Sequence, residues 1–208
     1  SQLVSRPRSE VSDKFQSFRA ALAQTGVESS DFDLNPEVTL PEGRSLRPAG
    51  VLAPVIDTGA RLELILTKRS SALKHHPGQI AFPGGKQDGG DADVITAALR
   101  EAREEIGLDP SQVDVLGALS GHATVTGFAM TPIIGIVRGA FHPKPEFGEV
   151  SEVFEVPLAH VTNPDSFVIQ SRRWQGQARY FYTVPHGPFY IWGATARILR
   201  ALAERMDP

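Results

Sequence analysis

The 208-residue chain is 41% hydrophobic and 22% charged, the balance of an ordinary soluble globular protein with one domain and some extra elements. Its formal net charge of −3 argues against a general nucleic-acid binder, which is normally basic. Cysteine is absent, which excludes disulfides, thiolate metal sites and a cysteine nucleophile, and no apolar run approaches the roughly 20 residues that span a bilayer.

The first ten residues lack a signal-peptide core, so a cytoplasmic location is expected. Residues 9–24 predict an amphipathic helix with Val11, Phe15, Phe18 and Leu22 on one side, packed on the domain or on a partner subunit. Residues 29–47, rich in Asp, Pro, Glu and Gly, predict an extended connector. Residues 49–56 and 61–67 predict two strands, the second mostly apolar and therefore central. A polar loop from Lys68 to Gln79 leads into a short strand, Ile80 to Phe82. Strands are also predicted over 113–119, 130–138 and 152–156, with a proline-broken loop at 141–148. A hairpin joins 167–173 to 178–184. A closing helix over 191–205 carries Ile191, Ala194, Ile198, Leu199 and Leu202. Tyr190 and Trp192 are expected in the core. Strands interrupted by few helices predict an α/β fold, a mixed sheet with helices on both sides.

One stretch organises the rest: Phe82-Pro-Gly-Gly-Lys-Gln-Asp-Gly-Gly-Asp91, a helical run, then Arg100-Glu-Ala-Arg-Glu-Glu-Ile-Gly-Leu108. Gly84 and Gly85 fit a tight loop that brings bare backbone close to a ligand. Asp91 and Asp93 are N-cap candidates, and Gly107 is placed to end the helix. At about 100° per residue, Val94, Ile95, Ala98, Leu99, Ala102 and Ile106 form one apolar stripe. Glu101, Glu104 and Glu105 fall on a neighbouring arc and repel one another by roughly 0.2–0.5 kcal/mol per pair. A hard divalent cation such as Mg²⁺ turns that repulsion into attraction. Taken alone, such a charge run reads as a solvated face with Arg100 paired to Glu104. The glycine loop at a fixed distance upstream favours a ligand site instead.

The stretch resembles the Nudix box. Gly85, Asp91, Arg100, Glu101, Ala102, Glu104, Glu105, Gly107 and Leu108 fill its places. Asp91 stands where that family usually has Glu, and the spacer from Asp91 to Arg100 is one residue longer than usual. A second pattern lies just upstream: Leu66-Thr-Lys-Arg-Ser70, Lys74, Gly78 and Phe82 to Gly85. It resembles the motif of the coenzyme A diphosphatase branch, with Lys74 where Arg is usual, which keeps the charge but loses the bidentate fork. The run from Phe189 to Leu199 also resembles that branch. The likeness covers about residues 47–203, which divides the chain into an N-terminal helix and connector (1–46) and a Nudix domain (47–208).

The resemblance implies a Nudix-type α/β/α sandwich and a Nudix pyrophosphohydrolase dependent on Mg²⁺ or Mn²⁺. It implies cleavage of coenzyme A or acyl-CoA to 4′-phosphopantetheine, or its acyl form, and adenosine 3′,5′-bisphosphate. Glu101, Glu104, Glu105 and the Gly85 carbonyl are the implied metal ligands, with Arg100 orienting a glutamate. Glu104, Glu149 and Glu152 are candidates for the general base. Lys68, Arg69, Lys74 and Gly78 are the implied substrate contacts, best made by Arg. His75 and His76 read as solvated. The expected partner is a small-molecule substrate, without nucleic acid or membrane, in a monomer or homodimer. Three alternatives stay open: another Nudix substrate such as ADP-ribose or a nucleoside triphosphate, a non-catalytic Nudix ligand-binding module, and a structural protein with a solvated Glu-rich helix.

Overall fold

A computed structural model describes residues 8–24 and 26–206, with side chains from residue 15 onward. In chain order the elements are α1 (Arg8–Ala23), β1 (Ser29–Ser30), β2 (Arg47–Asp57), β3 (Leu62–Arg69), β4 (Ile80–Ala81), β5 (Gly84–Lys86), α2 (Val94–Ile106), β6 (Val113–Ala118), β7 (His122–Ala123), β8 (Phe128–Val137), β9 (Val150–Pro157), α3 (Leu158–Val161), β10 (Val168–Trp174), β11 (Gln177–Thr183) and α4 (Gly193–Met206). Every strand and helix expected from the sequence is present, with ends shifted by at most two residues. Val11, expected on the apolar side of α1, has a side chain outside the described ones.

β2 is buried continuously from Ala49 to Val55 because it is paired on both sides, parallel to β8 and antiparallel to β3. β9 flanks β3, and β6 and β7 flank β8, so the sheet is mixed. Successive residues alternate faces and feed two cores. Leu52, Ile65 and Ile133 point to one face and meet Ala98, Ala102 and Ile106 of α2. Val51, Val55, Leu64, Leu66 and Ile134 point to the other, against Phe18 of α1 and Ile198, Leu199 and Leu202 of α4. This is the α/β/α sandwich expected from the sequence.

At the start of β2 and the end of β3 the short strands insert, β5 pairing with β2 and β4 with β3. β4 was expected from the sequence as Ile80 to Phe82; β5, three residues of the glycine loop, was not. There α2 also approaches closest: a Cβ on Gly50 would lie 2.0 Å from the Val94 carbonyl oxygen.

The connector is fastened rather than loose. β1 pairs with β7, and the buried His122 ring sits between Ser29 Oγ (2.8 Å from Nδ1) and Asp31 Oδ1 (2.7 Å from Nε2). Asn35 exchanges two hydrogen bonds with the Tyr180 backbone, donating to its carbonyl at 2.9 Å and accepting from its N–H at 2.8 Å. Arg197 Nε donates to Asp33 at 2.8 Å. No helix among the described residues is long and apolar enough to cross a membrane.

Candidate active site

The helix α2 is set by its caps. Asp93, not Asp91, is the N-cap; its carboxylate accepts from the Thr96 N–H at 2.8 Å and the Thr96 hydroxyl at 2.9 Å. Gly107 ends the helix at φ 73°, which only glycine adopts cheaply. Asp91 is occupied elsewhere. Both its oxygens receive Arg100, from Nε and Nη2 at 2.9 Å each, and Oδ2 also accepts the Asp88 N–H at 2.8 Å. The guanidinium bond holds the Asp91 carboxyl below its ordinary range. The shorter acid and the longer spacer therefore still close a two-bond fork from helix to loop.

Arg100 continues inward to Glu101, with Nη1 at 3.0 Å from Oε1, and more loosely to Glu104 at 3.4 Å. Glu101 is part-buried and raised, chiefly by burial. A Cβ on Gly85 would lie 2.9 Å from its carboxyl carbon, so the Gly85 backbone lies directly against that carboxylate. Glu105 is deeper. Burial, then the nearby Glu101 and Glu149 carboxylates, push it up to about 8, opposed by Arg69 and the Gly84 N–H.

The third acid arrives through a helix end. The last carbonyls of an α-helix lack intrahelical partners. Here the Glu105 carbonyl accepts the Glu146 N–H at 2.8 Å, and the Ile106 carbonyl the Lys144 N–H at 2.9 Å. These bonds drape the proline-containing loop over the end of α2. The loop then turns through the Glu149 N–H to Glu146 carbonyl bond at 2.9 Å. Oxygen atoms of Glu101, Glu105 and Glu149 come within 4.8 Å of one another. Three carboxylates at this spacing form an oxygen donor set suited to a hard divalent cation.

The basic loop borders this cluster. Ser70 N–H donates to the Glu149 carbonyl at 2.9 Å, and Arg69 leaves β3 on the Ile65 face, the face of α2. Arg69 Nη2 donates to the His75 carbonyl at 3.3 Å, while its buried Nε has no hydrogen-bond partner among the described residues. Gly78, at φ 71°, closes the loop by donating to the Arg69 carbonyl at 3.0 Å. His76 is lowered, first by burial and then by Arg69. Lys68 and Lys74 are exposed and make no ion pair among the described residues.

Of the residues singled out from sequence, Glu101, Glu105, Gly85, Arg100 and Arg69 gather at one place, with Gly78 shaping the loop. Glu104 is 58% exposed in its side chain and lies outside the three-carboxylate cluster. Glu152 shares the strand face of Phe154 and Val156, so it projects to the face opposite α2, across from Lys68 in register. Glu149 joins the cluster through backbone bonds that no residue pattern encodes, although an acid ending the proline loop was a visible candidate. Gly50 went unnoticed in the sequence.

The NUDIX domain family model matches residues 46–178. The chain is 40% identical over 170 residues to a protein of Citrobacter koseri described as an uncharacterized Nudix hydrolase, NudL, covering 82% of this chain and 88% of that protein. A NudL of Enterobacter sp. is 39% identical over 157 residues, 76% of this chain and 81% of that one. This chain belongs to the Nudix hydrolase family. The enzyme class expected from the sequence, a Nudix pyrophosphohydrolase, stands with that membership. The fold of this Nudix hydrolase is also similar to the MutT protein from Methanosarcina mazei Go1, with a TM-score of 0.51 at 18% identity over 80% of this chain and 96% of that one.

Proposed function

We propose that this Nudix hydrolase cleaves the diphosphate of coenzyme A or acyl-CoA, releasing 4′-phosphopantetheine, or its acyl form, and adenosine 3′,5′-bisphosphate. The observation that carries the proposal is the meeting of Glu101, Glu105 and Glu149 beside Arg69, a cation with an unpartnered buried N–H. The motif from Leu66 to Phe82, with its likeness to the coenzyme A diphosphatases, supports the choice of substrate.

Glu101 and Glu105 would hold Mg²⁺ or Mn²⁺, with the Gly85 carbonyl as a further ligand, its backbone lying against Glu101. When bound, such an ion neutralises charge on the phosphate oxygens and lowers the barrier to attack by water. Arg69 and Lys74 hold non-bridging oxygens of the diphosphate; Arg69 Nε and Nη point from the sheet end that carries the carboxylates. Glu149 is exposed, unlike Glu105, and takes the proton from the attacking water at the mouth of the site. Arg100 fixes the Glu101 carboxylate and keeps the glycine loop against the helix.

The test is a panel of coenzyme A, ADP-ribose and nucleoside triphosphates with Mg²⁺ or Mn²⁺. The highest kcat/KM is expected for coenzyme A, and full activity in excess EDTA would overturn the metal site. A higher kcat/KM on ADP-ribose would overturn the substrate while leaving the family untouched. Arg69→Ala is expected to cost about tenfold to a hundredfold in kcat/KM, the loss of a charge-assisted hydrogen bond. Coenzyme A and dephospho-coenzyme A should suffer equally if Arg69 serves the diphosphate.

A further inference from the structure

The β10–β11 hairpin stands off the main sheet, and every residue of β10 is exposed. Between it and the segment leading into α4 lies an open cavity of about 720 Å³, within the roughly 300–1,000 Å³ of small-ligand clefts. Its walls include Arg172, Tyr180, Phe181, Tyr190 and Trp192. The sequence expectation put Tyr190 and Trp192 in the core. Instead Tyr190 is 45% exposed, and Trp192 is half-buried with its ring on the cavity.

The chemistry of these walls is specific. The Arg172 guanidinium lies over the Trp192 ring, 4.8 Å from its centre, and Phe181 meets the same ring edge-on at 5.2 Å. Among the described residues Arg172 makes that ring contact and no hydrogen bond or ion pair, so its N–H groups are available to an anion. Tyr190 is braced by a hydrogen bond from its hydroxyl to Gln170. Rigid aromatic faces beside a free guanidinium match a planar, negatively charged ligand.

The segment that carries the cavity wall is tied to the strand before the glycine loop. Thr195, three residues past Trp192, donates from its buried hydroxyl to the Ile80 carbonyl at 2.9 Å. Ile80 is paired in register with Lys68, at the root of the basic loop. One short buried bridge thus joins the cavity wall to the loop that carries Arg69.

We propose that this cleft is the subsite for a planar aromatic base bearing a phosphate monoester, that is, the adenine and 3′-phosphate end of the substrate. The inference rests on the coenzyme A reading of the active site and extends it to a second region of the chain. Arg172 donates to the monoester oxygens, Tyr180 and Trp192 offer faces for the base, and Arg69 is left to the diphosphate.

The test uses adenosine 3′,5′-bisphosphate without metal, read by fluorescence in a Trp174→Phe background, so that Trp192 is the sole reporter of the two tryptophans. Saturable quenching is expected. Arg172→Gln should weaken binding by about tenfold to a hundredfold, and Tyr180→Ser by about tenfold. Adenosine alone should bind more weakly and ignore Arg172→Gln. Absence of quenching, or equal affinity with and without Arg172, would overturn the subsite. The two proposals fail separately. Coenzyme A hydrolysis with a KM unmoved by Arg172→Gln overturns the subsite and keeps the active-site reading. Arg172-dependent binding in a protein that leaves coenzyme A intact upholds the cleft and overturns that reading.

Discussion

Burial and two neighbouring carboxylates push Glu105 up to about 8 from an ordinary 4.5. Between those values the folded, cation-free chain holds a proton that the unfolded chain has released. The folded state is therefore favoured at low pH, and stability falls as pH rises through that window, by at most about 1.4 kcal/mol per pH unit. Glu105→Gln removes the titration. In EDTA its urea midpoint should stay flatter than wild type between pH 5 and pH 8, and a wild-type curve equally flat would refute the prediction. The same proton competes with a cation, so apparent Mn²⁺ affinity should tighten as pH approaches 8 and level off above it. Outer-shell partners of a ligand cost about 10–100-fold when removed, and Glu105→Gln should lower kcat by at least that much. Two glycines separate stability from activity at this scale. Gly85→Ala meets only the end of the Glu101 side chain, so kcat should fall with little change in Tm. Gly50→Ala meets the Val94 backbone at 2.0 Å, so Tm and kcat should fall together. The first glycine was legible because it stands in a motif. The second was not, since its need for a bare Cα arises only when α2 lies across β2.

The element that carries the chemistry, α2, was legible almost whole: its apolar stripe, its charged arc and its terminal glycine all follow from spacing. Its lower cap was assigned to either of two aspartates, and only contact geometry separates them, Asp93 turning to Thr96 and Asp91 to Arg100. That pairing makes Arg100 a clamp between helix and loop. Arg100→Lys keeps the charge but loses the fork. Amide exchange at Asp88 and Asp91 should accelerate, with kcat falling more than KM rises because Glu101 loses its orientation. Unchanged exchange in the variant would refute the clamp. The loop that delivers Glu149 was legible only as a loop. Its docking depends on two N–H groups finding the open carbonyls of Glu105 and Ile106, which is backbone chemistry that any sequence offers.

At the scale of the molecule, the alternating side-chain directions of the continuously buried β2, β3 and β8 divide the sandwich into a chemical face and a supporting face. The sequence division at residue 46 does not coincide with a division of the core. Phe15 and Phe18 of α1 share one cluster with Leu64, Leu66 and Leu199. We propose that the two segments unfold together. Phe18→Ala should lower stability by about 3–5 kcal/mol in one cooperative transition, with KM unchanged. Two separate transitions in wild type would refute it. The strands that carry the two cores were legible as apolar runs, and so was the short strand at Ile80; the strand order and the strand Gly84–Lys86 were not, because they rest on backbone pairing alone.

The file of Ser29, His122 and Asp31 has the composition of a hydrolytic triad, and its fate is set by where it lies. Ser29 is 6% exposed and His122 is 1% exposed, and the carboxylate meets the ring nitrogen remote from the hydroxyl. A phosphonylating reagent has no approach to that oxygen. The protein should remain unlabelled by fluorophosphonates while folded, a hydrolase silent to probes that report serine enzymes.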